Sequence, residues 1–302
     1  MLVTLPTIMS RTDHQDIRIG TLANLDKAET YLPQILPHGF ESFELTTWAR
    51  LPDLDLAELG KKVQDICGDD AIISSVGCYG NPLQEEETAK AIETLIKNAK
   101  HFGCNIVCGF AGAQEDRSVE ENMPKFKEVW GHLAKVAEGE GVKFAFENCD
   151  MGGTWESPKW NIAHNPRGWE MMFNEVISDA IGLEWEPCHQ MYSLADPIPQ
   201  LRKWVGKIYH VHGKDATINH DILETYGFRA GMPIVQHRTP GFGDSDWTDI
   251  ITILRGAGWR GAIDIEGWHD PVYRDDLEMT GQVYGLEYLK ACRGGAFIPN
   301  PV

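Results

Sequence analysis

No C-x-x-C pair, no block of basic residues, no apolar run of membrane-spanning length and no glycine-rich phosphate fingerprint occurs among the 302 residues of this chain. Each absence removes a class of protein. The seven cysteines, Cys67, Cys78, Cys104, Cys108, Cys149, Cys188 and Cys292, are scattered and odd in number, which argues against a paired-thiol zinc site and predicts reduced thiols in a cytoplasmic protein. Without about 18 consecutive apolar residues no membrane helix is expected, and the opening MLVTLPTIMSRTDHQD lacks the basic start and apolar core of a secretory signal. Lys and Arg number 27 against 45 Asp and Glu, a formal net charge of -18. Nucleic-acid affinity comes largely from cations that displace phosphate counterions, so no nucleic-acid partner is expected, whereas a sugar or other small neutral substrate suits this balance. GTLANLD, after the first strand-like run, does not match G-x-G-x-x-G, which disfavours an open doubly wound dinucleotide fold. Linkers, low-complexity tracts and repeats are missing too, and residues 1–302 read as a single domain.

What is present is alternation. Eight short β-rich runs, IRIGTL (17–22), SFELTT (42–47), AIISSVG (71–77), NIVCGF (105–110), KFAFEN (143–148), IGLEWE (181–186), KIYHVH (207–212) and AIDIEG (262–267), are separated by stretches of helical period. In EEETAKAIETLIKNAKHFG the apolar Ile92, Leu95, Ile96, Ala99 and Phe102 recur at helical spacing, with Gly103 as a C-cap. Ser118 and Glu121 form a capping-box signature ahead of a helix that runs to about Gly139. DWTDIITILRGAG and LEMTGQVYGLEYLKA supply the last two helices. Eight βα units predict an α/β fold of the (β/α)8 TIM-barrel type.

Within that pattern GLEWEPCH (182–189) is unusual, because alternation puts Leu183 and Trp185 on one face and two carboxylates, Glu184 and Glu186, on the other. Neighbouring strands end in the same manner: Phe-Ala-Phe-Glu147, Glu-Trp-Glu186, His-Val-His212 and Asp-Ile-Glu266. The C-terminal ends of barrel strands are where active sites are built. Three carboxylates aimed into one bowl repel one another and need protons or a cation to coexist. An oxygen-rich set with one imidazole predicts one divalent cation, Mn2+ ahead of Mg2+, Co2+, Fe2+ or Zn2+. A lone strand-end Glu or His is more often an ordinary surface or core residue, and salt bridges to Lys and Arg are the bland alternative for the set. Glu184, His210 and Asp264, two residues below, either orient His212 or form a hydrated polar layer. His189 follows Glu186 by three residues, within reach of a substrate hydroxyl. Cys149 and Cys188 each follow a carboxylate by two, and a thiol nucleophile beside His189 is the competing covalent reading.

FAFEN (144–148), GLEWEPCH (182–189), KIYHVHGKDA (207–216), HRTPGFGDSDW (237–247) and IDIEGWHDP (263–271) together resemble the xylose isomerase-like TIM barrel superfamily, in particular its sugar phosphate isomerase/epimerase group with ketose 3-epimerases and inosose dehydratases. The resemblance implies Glu147, Glu186, His212 and Glu266 as metal ligands, His189 and Arg238 as substrate contacts, and Glu147 and Glu266 as the groups that exchange a substrate proton from opposite faces. Where this chain has Glu186 the family commonly has Asp, one methylene shorter. The same superfamily contains AP endonucleases with additional His ligands on earlier strands. Here the third and fourth strands end SSVGCYG and CGFAGA, without histidine, which disfavours DNA repair.

The implied activity is that of a divalent-metal-dependent sugar isomerase or epimerase, abstracting a proton next to a carbonyl through an enediolate. The alternatives are a metal-dependent lyase or dehydratase acting by β-elimination on an inosose or 3-keto-glycoside, metal-assisted hydrolysis, and a non-catalytic metal-binding barrel subunit. A sugar or keto-sugar is the expected partner, without nucleic acid or membrane, and a homo-oligomer is the open quaternary option. In the 148–164 loop, Trp155 and Trp160 either stack on a sugar face or pack the loop. Residues 213–245, with Arg238, Gly241 and Gly243, form a long insertion over the mouth that reads as a lid. Lys214 contacts substrate or pairs with Asp215 locally.

Overall fold

A computed structural model describes residues 14–229 and 231–301. Its strands are β1 (Ile17–Asn24), β2 (Ser42–Trp48), β3 (Ile72–Tyr79), β4 (Ile106–Gly109), β5 (Lys143–Glu147), β6 (Ile181–Trp185), β7 (Ile208–Gly213), β8 (Asp215–Ile218), β9 (Val235–Arg238) and β10 (Gly261–Ile265). Eight of them close a parallel barrel in the order β1-β10-β7-β6-β5-β4-β3-β2, and β8 and β9 form a separate two-stranded sheet. All eight expected runs are barrel strands, each within two residues of its expected bounds. The chain is a single-domain (β/α)8 barrel ringed by helices.

Strand alternation sets what goes in and what goes out. Phe144, Phe146, Leu183, Trp185, Val211, Ile263 and Ile265 join the apolar core shared with the helices. Trp130, on the helix Val119–Glu140, lies 4.4 Å from the Phe144 ring and 4.5 Å from that of Phe146, and truncating an aromatic in such a place costs about 3–5 kcal/mol. Ala145, Glu147, Glu184, His210 and Asp264, the intervening residues, are buried as well, so the acidic face of GLEWEPCH belongs to the barrel interior. That interior is tight: a Cβ on Gly20 of β1 would run into Ser42 O and the Asp264 carboxylate. The helices start and stop as their sequences dictate, with a complete Ser118/Glu121 capping box on Val119–Glu140 and a left-handed Gly103 closing the turn after Glu86–Asn98.

The 213–245 insertion is built on the antiparallel hairpin of β8 and β9, which pairs Asp215 with Arg238 and Ala216 with His237. Asp215 ties it down, accepting from Ser245 N at 3.0 Å and Trp247 Nε1 at 3.1 Å. Among the described residues no helix is long and apolar enough to cross a membrane.

Candidate metal centre and substrate pocket

Glu147 is the last residue of β5, and Glu186 follows β6 directly as the N-cap of a short helix, Pro187–Tyr192. Asn148 fixes Glu186 from the next strand, its Oδ1 accepting from Glu186 N at 2.8 Å and its Nδ2 donating to Glu186 O at 3.0 Å. His212 is on β7, and Glu266 follows β10 with its N–H donated to Gly213 O at 3.3 Å. All four side chains are buried, and each offers a ligand atom within 4.8 Å of the other three.

The donor set fits a divalent cation. Glu186 Oε1 and Oε2, Glu266 Oε2 and His212 Nδ1 are buried without an aligned hydrogen bond, although Lys214 Nζ stands 2.8 Å from Glu266 Oε2 and His189 Nε2 2.8 Å from Glu186 Oε1. Buried polar atoms are rarely left so, unless something else takes them. Burial pushes the Glu147 carboxyl well above the usual range, and the charges of Glu186 and Glu266 add to it. Glu186 experiences the same burial, but Lys214 and His189 outweigh it and bring it down to about 2. Glu266 is also held low against its burial, by Lys214, His212 and His269, whose Nε2 lies 2.8 Å from Glu266 Oε1.

A second polar layer lies beneath. His212 Nε2 faces Glu44 Oε2 at 3.0 Å and Glu184 Oε1 at 3.1 Å, which leaves Nδ1 turned toward the upper cluster, 3.5 Å from Glu266 Oε2. An outer carboxylate on one ring nitrogen is the usual way to fix an imidazole for ligation through the other. Tyr79 OH lies 2.7 Å from both Glu44 Oε1 and Glu184 Oε2, with its one proton shared between the two carboxyl groups. His210 bridges Glu184 Oε1 at 2.9 Å and Asp264 Oδ2 at 2.8 Å. Burial disfavours its charge, but Glu44, Asp264 and Glu184 push it up to about 10, so both nitrogens carry protons to donate. Ser42 and Ser74 complete Asp264 with hydrogen bonds of 2.5 Å.

Above these layers opens a cavity of about 390 Å3 lined by Glu147, Glu266, His212, His189, Lys214, His237 and His269, with Leu22, Trp48, Phe110 and Trp268 as apolar wall. Of the residues singled out from sequence, Glu147, Glu186, His212, Glu266, His189 and Lys214 come together. Arg238 and Trp155 do not line the cavity: Arg238 Nε donates to Asp270 Oδ2 at 2.9 Å, and Trp155 Nε1 to Glu120 Oε2 at 2.8 Å. Trp160 instead approaches Trp48, ring centroids 5.4 Å apart. Burial raises the Cys149 and Cys188 thiols well above their ordinary range, aided by Glu147 and Glu186 respectively, which leaves them protonated and poor nucleophiles. Glu44, Tyr79, His237 and His269 were not anticipated. Glu44 had a signal, since SFELTT alternates apolar and polar as GLEWEP does; His237 opens the HRTPGFGDSDW motif without a role given to it, and Tyr79 had no signal.

A barrel of this topology with carboxylates and an imidazole gathered at its C-terminal mouth defines a class, and comparison places the chain within it. Residues 34–292 match the family described as xylose isomerase-like TIM barrel, and the chain belongs to that family. An uncharacterized protein of Bacillus subtilis, YfiH, is 23% identical over 80% of this chain and 86% of its own length. Inosose dehydratase of Clostridium tetani is 31% identical over 182 residues, 56% of this chain and 57% of that protein, so the match spans little more than half of each. Among solved structures, the E. coli 3-keto-D-glucoside 4-epimerase superposes with a TM-score of 0.67 at 14% identity, covering 91% of this chain and all of the other.

Proposed function

We propose that this protein is a divalent-metal-dependent sugar isomerase or epimerase that removes and returns a proton on a carbon next to a carbonyl. The observation that carries this reading is the convergence of Glu147 and Glu266. Glu147 ends β5 and Glu266 directly follows β10, two strands separated by β6 and β7, yet their side chains reach one point of the cavity. Their surroundings differ, since Glu266 has Lys214 and His269 each at 2.8 Å, while the nearest ring nitrogen to Glu147 is His189 Nε2 at 3.9 Å. Two carboxylates in unlike surroundings suit removal of a proton by one and its return by the other. Glu147, Glu186, His212 and Glu266 would hold the cation, with Mn2+ first among candidates for so oxygen-rich a set. A cation held there would supply Lewis-acid polarisation of the substrate carbonyl. Lys214 and His189 would donate to sugar oxygens, and Trp48, Phe110 and Trp268, which line the cavity, would form its apolar wall against the sugar. All seven cysteines are free, in keeping with a reducing, cytoplasmic setting.

A second reading is β-elimination, favoured by the kinship to inosose dehydratases, in which Lys214 or His189 would protonate the departing hydroxyl. One experiment separates the two. Protein loaded with Mn2+ is incubated in deuterium oxide with ketoses, inososes and 3-keto-sugars. Isomerase or epimerase action puts deuterium into recovered or rearranged sugar without loss of water; elimination yields a product lighter by one water. If metal-loaded protein gives neither with any substrate class, the proposal is wrong.

A further inference from the structure

The β8–β9 hairpin delivers one residue to the cavity. Successive side chains of a strand point to opposite faces, so His237 and Arg238 cannot both face inward. His237 does: it lines the cavity, its ring 5.0 Å from His189 and 5.9 Å from His269, and its Nε2 is buried without a hydrogen-bond partner. Arg238 turns the other way, held by Asp270 and lying 5.9 Å over the Phe242 ring.

The cavity lining holds no lysine or arginine free of a carboxylate partner among the described residues. Lys214 is the one Lys or Arg that lines it among the described residues, and it already stands 2.8 Å from Glu266 and 3.9 Å from Glu186. Burial pushes His237 down to about 3, with Lys214 and His189 opposing its charge further, so this imidazole adds none. Barrels of this type commonly hold phosphate at the loops after the seventh and eighth barrel strands and at a nearby helix N-terminus. In this chain acids already occupy several of the donors there. Asp215 takes Ser245 N and Trp247 Nε1. Asp246 caps the helix Trp247–Gly256 through Asp249 N at 2.9 Å. Asp270 accepts from the N–H groups of Thr239, Val272 and Tyr273 at 3.1, 2.8 and 2.9 Å.

We infer that His237 is the hairpin's substrate contact in place of Arg238, and that the pocket selects uncharged sugar over sugar phosphate. The inference rests on the reading of this cavity as a sugar site. To test it, the full chain loaded with Mn2+ is titrated with D-fructose, D-tagatose and their 6-phosphates. Tryptophan fluorescence reads binding, since Trp48 and Trp268 line the cavity. Each free ketose should bind at least about tenfold more tightly than its phosphate, and His237→Arg should shift that ratio about tenfold or more toward the phosphate by supplying a charge-assisted contact. Arg238→Gln should leave the ratio unchanged. Equal or tighter binding of the phosphates to the wild type overturns the inference, as does an Arg238→Gln shift equal to that of His237→Arg. Where His237→Arg fails to fold, His237→Gln serves: it should weaken both free ketoses at an unchanged ratio, and unaltered binding counts against His237. If free ketoses bind but exchange no deuterium, the inference stands while the enediolate reading falls. If metal-loaded protein binds no ketose at all, the two fall together.

Discussion

The two polar layers in the barrel are made of the same residue types and differ in how they are satisfied. In the lower layer every carboxylate oxygen and ring nitrogen of Glu44, Glu184, His210 and Asp264 has a partner, supplied by Tyr79, Ser42, Ser74, His212 or one another. In the upper layer both Glu186 oxygens, one oxygen of Glu266 and His212 Nδ1 lack an aligned hydrogen bond, and Lys214 and His189 meet the carboxylates only as ion pairs. A buried polar network is stable only when complete, so the lower layer is scaffold and the upper layer has coordination capacity left over. Burial and acidity alone would not separate them; the hydrogen-bond accounting does.

The sharpest way to break that comparison is at the two carboxylates given the proton-transfer role. Glu147→Gln and Glu266→Gln should each lower turnover about 10^2 to 10^4-fold while elemental analysis still finds the metal; normal turnover with metal in place would refute the two-carboxylate mechanism. Next in size is Glu186. Glu186→Ala should weaken metal binding by more than the roughly 10 to 100-fold typical of residues behind the ligands, measured by chelator competition, whereas Glu186→Asp should retain metal at altered affinity. The same competition experiment on Glu184→Gln should fall inside that smaller range, and a larger loss there would erase the distinction between layers.

Stability should report the reverse pattern. His210→Ala leaves two buried carboxylates short of their imidazolium and should cost about 3–5 kcal/mol, read by urea denaturation of the metal-free protein. Tyr79→Phe removes one hydroxyl shared by Glu44 and Glu184 and should cost about 1–3 kcal/mol. The smallest effect lies at the foot of the barrel, where Arg255 Nε meets Asp16 Oδ2 at 2.5 Å. Partial burial opposes the Asp16 charge, but the Arg255 hydrogen bond and the Ile17 N–H outweigh it and lower the group to about 2. The folded value is below the unfolded one, so this stabilisation is complete above the ordinary carboxylate range and fades as pH falls through about 2. For so exposed a pair it is worth about 1 kcal/mol, and Asp16→Asn should flatten the acid limb of the melting curve by that amount.

Much of this was legible because it is local. Eight alternating runs define the barrel, and Glu147, Glu186, His212 and Glu266 are each the last or next-to-last residue of a run, so a rule about strand ends singles them out without knowing which strands touch. Glu44 carried the same alternation, yet its meaning depends on β2 facing β6 and β7 across a closed sheet, which no window of sequence contains. Register hid the rest. Whether His237 or Arg238 faces inward depends on how β9 pairs with β8, and a motif that spans both residues does not decide it. Trp155 was anticipated at the cavity on residue type, but its indole N–H is bonded to Glu120 on the neighbouring helix.

Closure of the sheet has a consequence in time. β1 is completed by β10, with Thr21 Oγ1 bonded to Ile265 O across 244 positions of chain. At ribosomal speeds that interval lasts roughly 10 to 50 s, during which β1 has a free edge available to any other strand. The hazard belongs to the nascent chain and disappears once β10 docks. A chaperone that shields the first strand should therefore raise the yield of folded protein without altering its final stability, and slowing translation after β7 should lower it.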